Sequence, residues 1–259
     1  MKKFLAGTLL LLAILMQANA QKLNPSQQTV NSVIWQQQSG EYKALCYQAY
    51  YLARLTLADI LHTNKDSMPL AIVTDIDETI LDNSPAAAKS ILNNHGYTDT
   101  SWKKWVELSK AEAMPGAKEF FNYAAQYAVQ CFYVSNRGIK DLDATIINLQ
   151  LMGFPQADKE HVILKTTTSD KEPRRLEIAK KYNIVLLLGD NLNDFDKAFY
   201  KKSVADRNAA TDKMQTLFGT KYIVLPNATY GDWENALWPD KRLSEAEKAK
   251  IKMQALKGF

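Results

Sequence analysis

Ala71-Ile72-Val73-Thr74-Asp75-Ile76-Asp77-Glu78-Thr79-Ile80-Leu81-Asp82-Asn83-Ser84 is the stretch whose reading decides the fold. Its first half is an apolar run without polar alternation, the pattern of a short strand buried on both faces of a parallel sheet. The run ends on two aspartates one residue apart, with Thr79 two further on. In an extended chain residues i and i+2 point the same way, so Asp75 and Asp77 leave the strand on one face. Where the strand passes into a loop, Asp77 can swing clear while Asp75 stays at the tip. Two carboxylates so close remain ionised together only beside a positive charge; otherwise one takes a proton. A divalent cation supplies that charge, and magnesium favours a few carboxylate and carbonyl oxygens plus water. A lone Asp-x-Asp is a weak signal, but this one closes a strand of the kind at whose end α/β proteins hold ligands.

Outward from this stretch, strands alternate with helices. Before it, Tyr42, Leu45, Cys46, Ala49, Ala53, Leu57 and Ile60 recur at helical spacing, and residues 21–40, rich in Gln and Ser, begin as a loose arm. After it, Ser84 as cap and Pro85 in the first turn open a helix to Leu92. Helices follow over 100–109 and from Pro115-Gly116 to Tyr127. Cys131-Phe132-Tyr133-Val134 is a second strand, 141–152 a helix closed near Gly153, His161-Val162-Ile163-Leu164 a third strand and 171–182 a helix. Residues 184–188 and 222–225 give a fourth and fifth strand, and 243–256 a charged helix with a solvated face. The alternation predicts an α/β fold, a Rossmann-like parallel sheet covered by helices on both faces, with a small helical cap. The expected organisation is an N-terminal helical segment over 21–66, a core over 67–235 with a helical insertion at about 84–128, and a C-terminal helix within 236–259.

Residues 1–20 stand apart. Basic Met1-Lys2-Lys3, the apolar run Phe4 to Met16 and the small-x-small Ala18-Asn19-Ala20 make a signal peptide cleaved before Gln21, hence an exported protein, periplasmic or secreted, with no stable membrane anchor. No cysteine follows the apolar run for a lipid to modify. The formal charge of +4 falls to +2 once Lys2 and Lys3 are removed, too little to argue for a nucleic acid polymer or an acidic membrane as partner. Export permits a disulfide, yet Cys46 lies in a helical pattern and Cys131 opens a strand, so two buried thiols are favoured.

In a parallel sheet with right-handed crossovers, the strand ends share one edge. Asp75 and Asp77 come from the first, Ser135, Asn136 and Arg137 from the second, Lys165 and Lys171 from the loop after the third, and Asp190 and Asp194 from the fourth. Four carboxylates, a lysine and a hydroxyl gathered there make a magnesium site facing a phosphate site.

Asp-x-Asp-x-Thr, a strand ending in Ser, a Lys, then Gly-Asp-x-x-x-Asp resembles the haloacid-dehalogenase (HAD) superfamily of phosphohydrolases. More narrowly, Asp75-Ile76-Asp77-Glu78-Thr79 with Leu81-Asp82-Asn83-Ser84-Pro85 is similar to the bacterial class C acid phosphatases, the lipoprotein e family of 5'-nucleotidases. Ser101-Trp102-x-x-Trp105-Val106, Ser135-Asn136-Arg137, Gly189-Asp190-Asn191-Leu192-x-Asp194-Phe195 and Pro226-Asn227-Ala228-x-Tyr230-Gly231-x-Trp233-Glu234 carry the same resemblance, over residues 40 to 235. It implies that Asp75 attacks phosphorus to form an aspartyl-phosphate. Asp77 would protonate the leaving alkoxide and then take a proton from water. Mg2+ would be held by Asp75, the Asp77 carbonyl and Asp190, with Asp194 orienting the metal's water or the lysine. Ser135, Asn136, Arg137 and Thr79 would bind phosphate. Of the two lysines, Lys171 fits the family's Ser-x-Lys register (Ser169-Asp170-Lys171) and would neutralise the phosphoryl group. Trp102 and Tyr230 fall where the family stacks the substrate's base, making nucleotides and other small phosphate monoesters the implied partners. Two departures are visible: Ala86 where the family has an aromatic, and no lipid-attachment cysteine.

Cys131 and Arg137 match Cys-x5-Arg, but Phe132-Tyr133-Val134 is a strand where a phosphate loop would be needed. No Gly-x4-Gly-Lys loop exists, and His62, His95 and His161 lack metal-ligand spacing. A nucleotide- or haem-binding protein on the same fold, a phosphotransferase, and a homodimer remain open from sequence.

Overall fold

In the computed structural model, which describes residues 29–238 and 242–259, the decisive stretch forms strand β1, Leu70–Thr74, at the centre of a five-stranded sheet. The other strands are β4 (Gln130–Gly138), β5 (Val162–Lys165), β6 (Asn183–Gly189) and β7 (Tyr222–Val224), in the order β5-β4-β1-β6-β7, all parallel. Alternate residues feed two cores. Ile72, Cys131, Tyr133, Leu186 and Leu188 face one, and Ala71, Val73, Phe132, Val134 and Leu187 face the other. This two-sided burial is why the middles of the strands are apolar, with polar residues at their ends.

The first core is closed by helices α1 (Val30–Gln38) and α2 (Gly40–Thr63), α5 (Ala117–Gln126) and α6 (Leu142–Met152). The second is covered by α7 (Glu172–Ala179) and by residues around Met214 to Phe218 that follow α8 (Val204–Lys213). Between β1 and β4 the chain leaves the sheet through α3 (Ser84–Leu92) and α4 (Asp99–Glu107). A two-stranded antiparallel ribbon, β2 (Leu81–Asp82) with β3 (Glu112–Ala113), closes the base of this excursion. After β7 come α9 (Asp232–Asn235) and α10 (Glu245–Ala255). Among the described residues no helix is long and apolar enough to cross a membrane.

Several expectations are corrected. The segment expected to begin as a loose arm is helical from Val30, its beginning lying outside the described residues: Val33 and Gln36 of α1 are buried, and Gln36 donates to Asp82 Oδ1 at 2.8 Å. A glutamine-rich stretch hides its helix here because its polar side chains serve buried hydrogen bonds. On α2 the buried stripe is Tyr42, Cys46, Tyr50, Ala53 and Leu57, with Leu45 on the exposed flank. Ser84 does not cap α3; Asn83 holds the cap position, and its side chain is engaged elsewhere. Strand β4, expected to end at Val134 with Ser135-Asn136-Arg137 following it, runs on through those residues, with Ser135 paired to Leu164. The charged tail helix is not wholly solvated, since Lys248 and Lys252 of α10 line the central cleft. Cys46 and Cys131 are free and buried. The segment read as a signal peptide lies outside the described residues.

Candidate active site

Sheet pairing continues one residue past β1, the Asp75 N–H donating to Leu188 O at 2.9 Å, so the backbone beneath the Asp75 carboxylate is fixed. Lys171 sits in the turn just before α7 and is almost fully buried. Its ammonium donates to Asp75 Oδ1 and, at 2.7 Å, to Asp194 Oδ1. Asp194 closes a turn of 3₁₀ helix, Leu192–Asp194, its second oxygen accepting the Asn191 N–H at 3.0 Å. Gly189 makes this turn possible: a Cβ there would lie 2.4 Å from the Asp194 Cβ. Asp190 accepts from Asn227 Nδ2 at 2.7 Å, while its own N–H donates to Thr79 Oγ1 at 3.1 Å. The Thr79 hydroxyl, read from sequence as a phosphate ligand, donates in turn to Asp190 Oδ1 at 3.4 Å.

Asp75, Asp190 and Asp194 each offer an oxygen within 4.8 Å of the others, a group that could hold a metal ion. Burial pushes the Asp75 carboxyl up to about 7, the Lys171 ammonium pulling against it and the Asp194 and Asp77 charges adding to it. Burial, then Asp194 and Asp75, drive Asp190 well above the ordinary carboxylate range. Burial disfavours the Lys171 ammonium, but Asp194 and Asp75 outweigh it and raise its pKa. Three clustered carboxylates beside one ammonium carry more negative charge than a buried site sustains, and an all-oxygen donor set suits a hard divalent cation.

The Asp77 carboxylate stands outside that trio. Arg137 grips it with Nε at 3.0 Å and Nη2 at 2.8 Å from Oδ1, and Asn83 Nδ2 donates to the same oxygen at 2.8 Å. On Oδ2 the contacts are longer, Ser135 Oγ at 3.2 Å and Arg137 Nε at 3.3 Å. Arg137, expected on phosphate, is buried and committed to Asp77, and it also donates to Thr145 Oγ1 at 3.2 Å. Asn136 reaches across to Ser169 O at 3.1 Å and accepts from Arg174 at 2.7 Å; Arg174 also binds Ser135 O at 2.7 Å. Arg174 was missed from sequence, although it stands one helical turn beyond Lys171. Asn83 and Asn227 were quoted within motifs but given no role.

These groups open into one cleft of about 1490 Å³, lined among others by Asp75, Trp102, Ser135, Lys171, Asp190 and Tyr230. Lys165, at the end of β5, is not among its lining residues. Trp102 projects from α4, with the Arg137 guanidinium 5.7 Å from its ring centre and Tyr97 at 6.3 Å. Tyr230 is half-exposed, its hydroxyl donating to Glu78. Glu78 is buried, in a left-handed backbone conformation (φ 55°), with its carboxyl driven far up by burial and then by Asp77 and Asp190. His95 also lines the cleft, while His161 is held by Asp158 and Gln130 at the start of β4 and β5, the opposite edge of the sheet.

A parallel sheet with this acidic, lysine-bearing edge beneath a helical excursion is that of a HAD-type hydrolase. The family model of the HAD superfamily, subfamily IIIB (acid phosphatase), matches residues 13–233, and the chain belongs to that family. The class C acid phosphatase of Bacillus anthracis superposes with a TM-score of 0.88 at 43% identity, covering 92% of this chain and 100% of that one. The same enzyme with tungstate bound gives 0.86 and 42%, covering 90% and 98%. The stem 28 kDa glycoprotein of Glycine max is 26% identical over 168 residues, 61% of this chain; the match spans 62% of that protein's length.

Proposed function

We propose that the protein is an exported, Mg2+-dependent acid phosphatase that hydrolyses nucleoside monophosphates and related small phosphate monoesters through an aspartyl-phosphate on Asp75. The observation that carries this reading is the Asp75 carboxylate at the tip of β1, bound by Lys171 and grouped with Asp190 and Asp194. The similarity to a class C acid phosphatase, including a form with the oxyanion tungstate, supports it.

Asp75 Oδ attacks phosphorus while the bond from phosphorus to the leaving oxygen breaks. One difficult displacement thereby becomes two easier ones. Asp77 gives a proton to the departing alkoxide and later removes one from water, a role worth roughly 10²–10⁴-fold in rate. Lys171 compensates charge on the phosphoryl oxygens and, bridging Asp75 and Asp194, offsets the repulsion between them. Asp194 holds Lys171 in place. Asp75, Asp190 and Asp194 would hold the cation, which supplies Lewis-acid neutralisation of the phosphoryl group when bound. Ser135 and the neighbouring backbone of Asn136 would take phosphate oxygens. Trp102 and Tyr230 would stack the base, contributing roughly 1–3 kcal/mol.

Phosphate release from 5'-AMP and phenyl phosphate, measured with and without EDTA, tests the proposal. Turnover should need the metal and should vanish in Asp75→Asn; equal rates with chelator present would remove the metal from the reading. Export rests on the basic, apolar, small-residue order of residues 1–20. Amino-terminal sequencing of the protein recovered outside the cytoplasm should begin at Gln21.

A further inference from the structure

Asn83 is buried, follows directly on β2, and has both ends of its side-chain amide fixed. Nδ2 donates to Asp77 Oδ1 at 2.8 Å, and Oδ1 accepts the Trp105 Nε1–H at 2.7 Å. The assignment is unambiguous chemically: the indole can only donate and a carboxylate can only accept, so the amide cannot be turned over. Its backbone N–H is tied as well, donating to Glu78 Oε1 at 2.9 Å. Trp102 and Trp105 lie three apart on one face of α4. One is close to the Arg137 guanidinium and the other is bonded to Asn83, so the helix touches both side chains that hold Asp77 Oδ1.

We infer that Asn83 is a positioning residue that carries the placement of helix α4, through Trp105, to the Asp77 carboxylate. The inference rests on the hydrolase reading above. Oδ1 of Asp77 receives three short donor contacts, two from Arg137 and one from Asn83. Oδ2 receives only the longer ones, which leaves it the oxygen less committed to the protein and the one from which Asp77, acting as the acid, would give its proton. In the phosphorylation step that proton passes from Asp77 Oδ2 to the leaving alkoxide as the phosphorus–oxygen bond breaks and the Asp75 Oδ–phosphorus bond forms. Anchoring Oδ1 from α4 aims Oδ2 at the leaving group, and a small misplacement of a reacting group is costly. The Trp105–Asn83 bond is thus the part of the cap that the acid step feels.

The test compares two esters that differ in their need for a proton. The ribose alkoxide leaving from 5'-AMP needs one; the nitrophenolate leaving from p-nitrophenyl phosphate does not. With Mg2+ present, Asn83→Ala should lower kcat/KM for 5'-AMP by at least about tenfold and that for p-nitrophenyl phosphate by less than about twofold. Trp105→Phe, which keeps an aromatic ring in the same place and removes only the donor, should shift the ratio in the same direction by a smaller factor, and this arm stands if Asn83→Ala fails to fold. The double variant should be no worse than Asn83→Ala alone. Equal losses on both esters would mean a merely structural role and overturn the inference, as would no loss, or losses that multiply in the double variant. Wild-type protein that released phosphate from neither ester would overturn the hydrolase reading and this one together, a result distinct from an active enzyme indifferent to Asn83.

Discussion

The Lys171 ammonium is shared between Asp75 and Asp194, which reach it from β1 and from the turn after β6, with all three side chains nearly sealed from solvent. A buried ammonium with two carboxylates is a matched set, and removing the cation leaves two charges without compensation. Lys171→Met should therefore cost about 3–5 kcal/mol in a urea melt without metal, as breaking a buried pair does, and abolish detectable phosphate release. Lys171→Arg should not restore activity, because the guanidinium is planar and wider than the ammonium it replaces.

Because Asp75, Asp190 and Asp194 crowd their oxygens within 4.8 Å, a divalent cation should stabilise the fold as well as serve the reaction. Saturating Mg2+ at about 100 times its dissociation constant should add about 2.7 kcal/mol and raise the melting temperature accordingly. In Asp190→Asn that rise should shrink markedly. Calorimetric scans of both proteins with and without Mg2+ check it.

Gly189 has no room for a side chain. A methyl group would lie 2.4 Å from both Cβ and Oδ2 of Asp194, whose other oxygen holds Lys171. Gly189→Ala should destabilise by roughly 1–3 kcal/mol, the ordinary cost of overpacking. It should also lower kcat far more than Gly153→Ala, which alters the αL residue closing α6 beside Lys118. Circular dichroism melts and initial rates separate the two effects.

Arg137 binds both oxygens of Asp77 through a planar fork that a lysine cannot reproduce. Arg137→Lys should keep the charge yet lower kcat by at least about tenfold, with KM for 5'-AMP little changed. A rise in KM with kcat preserved would instead point to direct binding of phosphate.

The sheet was legible because its strands are buried on both faces. Apolar runs such as Ile184–Leu188 between polar helices leave few alternatives, and once the strands are parallel Asp75, Ser135 and Asp190 must share an edge. Roles within that edge were less legible. Arg137 reads from sequence as a cation for phosphate, and only the fold shows that its guanidinium lies against Asp77. Thr79 reads from sequence as a phosphate ligand and Asn83 has no role there, and only the fold shows that their buried partners include Asp190 and Trp105 from segments further along the chain. Helix α1 was hidden for a related reason: Gln36 and Gln37 form hydrogen bonds to Asp82 and Ser84, so polarity there marks internal contacts rather than solvent.

The most direct measurement is acid quench of the wild-type protein during turnover of a radiolabelled monoester, followed by peptide mapping. Label should appear on the peptide bearing Asp75, be lost to hydroxylamine as an acyl phosphate is, and be absent in Asp75→Asn. Label on Ser135, or rapid turnover with no covalent label at any quench time, would contradict a carboxylate nucleophile at the end of β1.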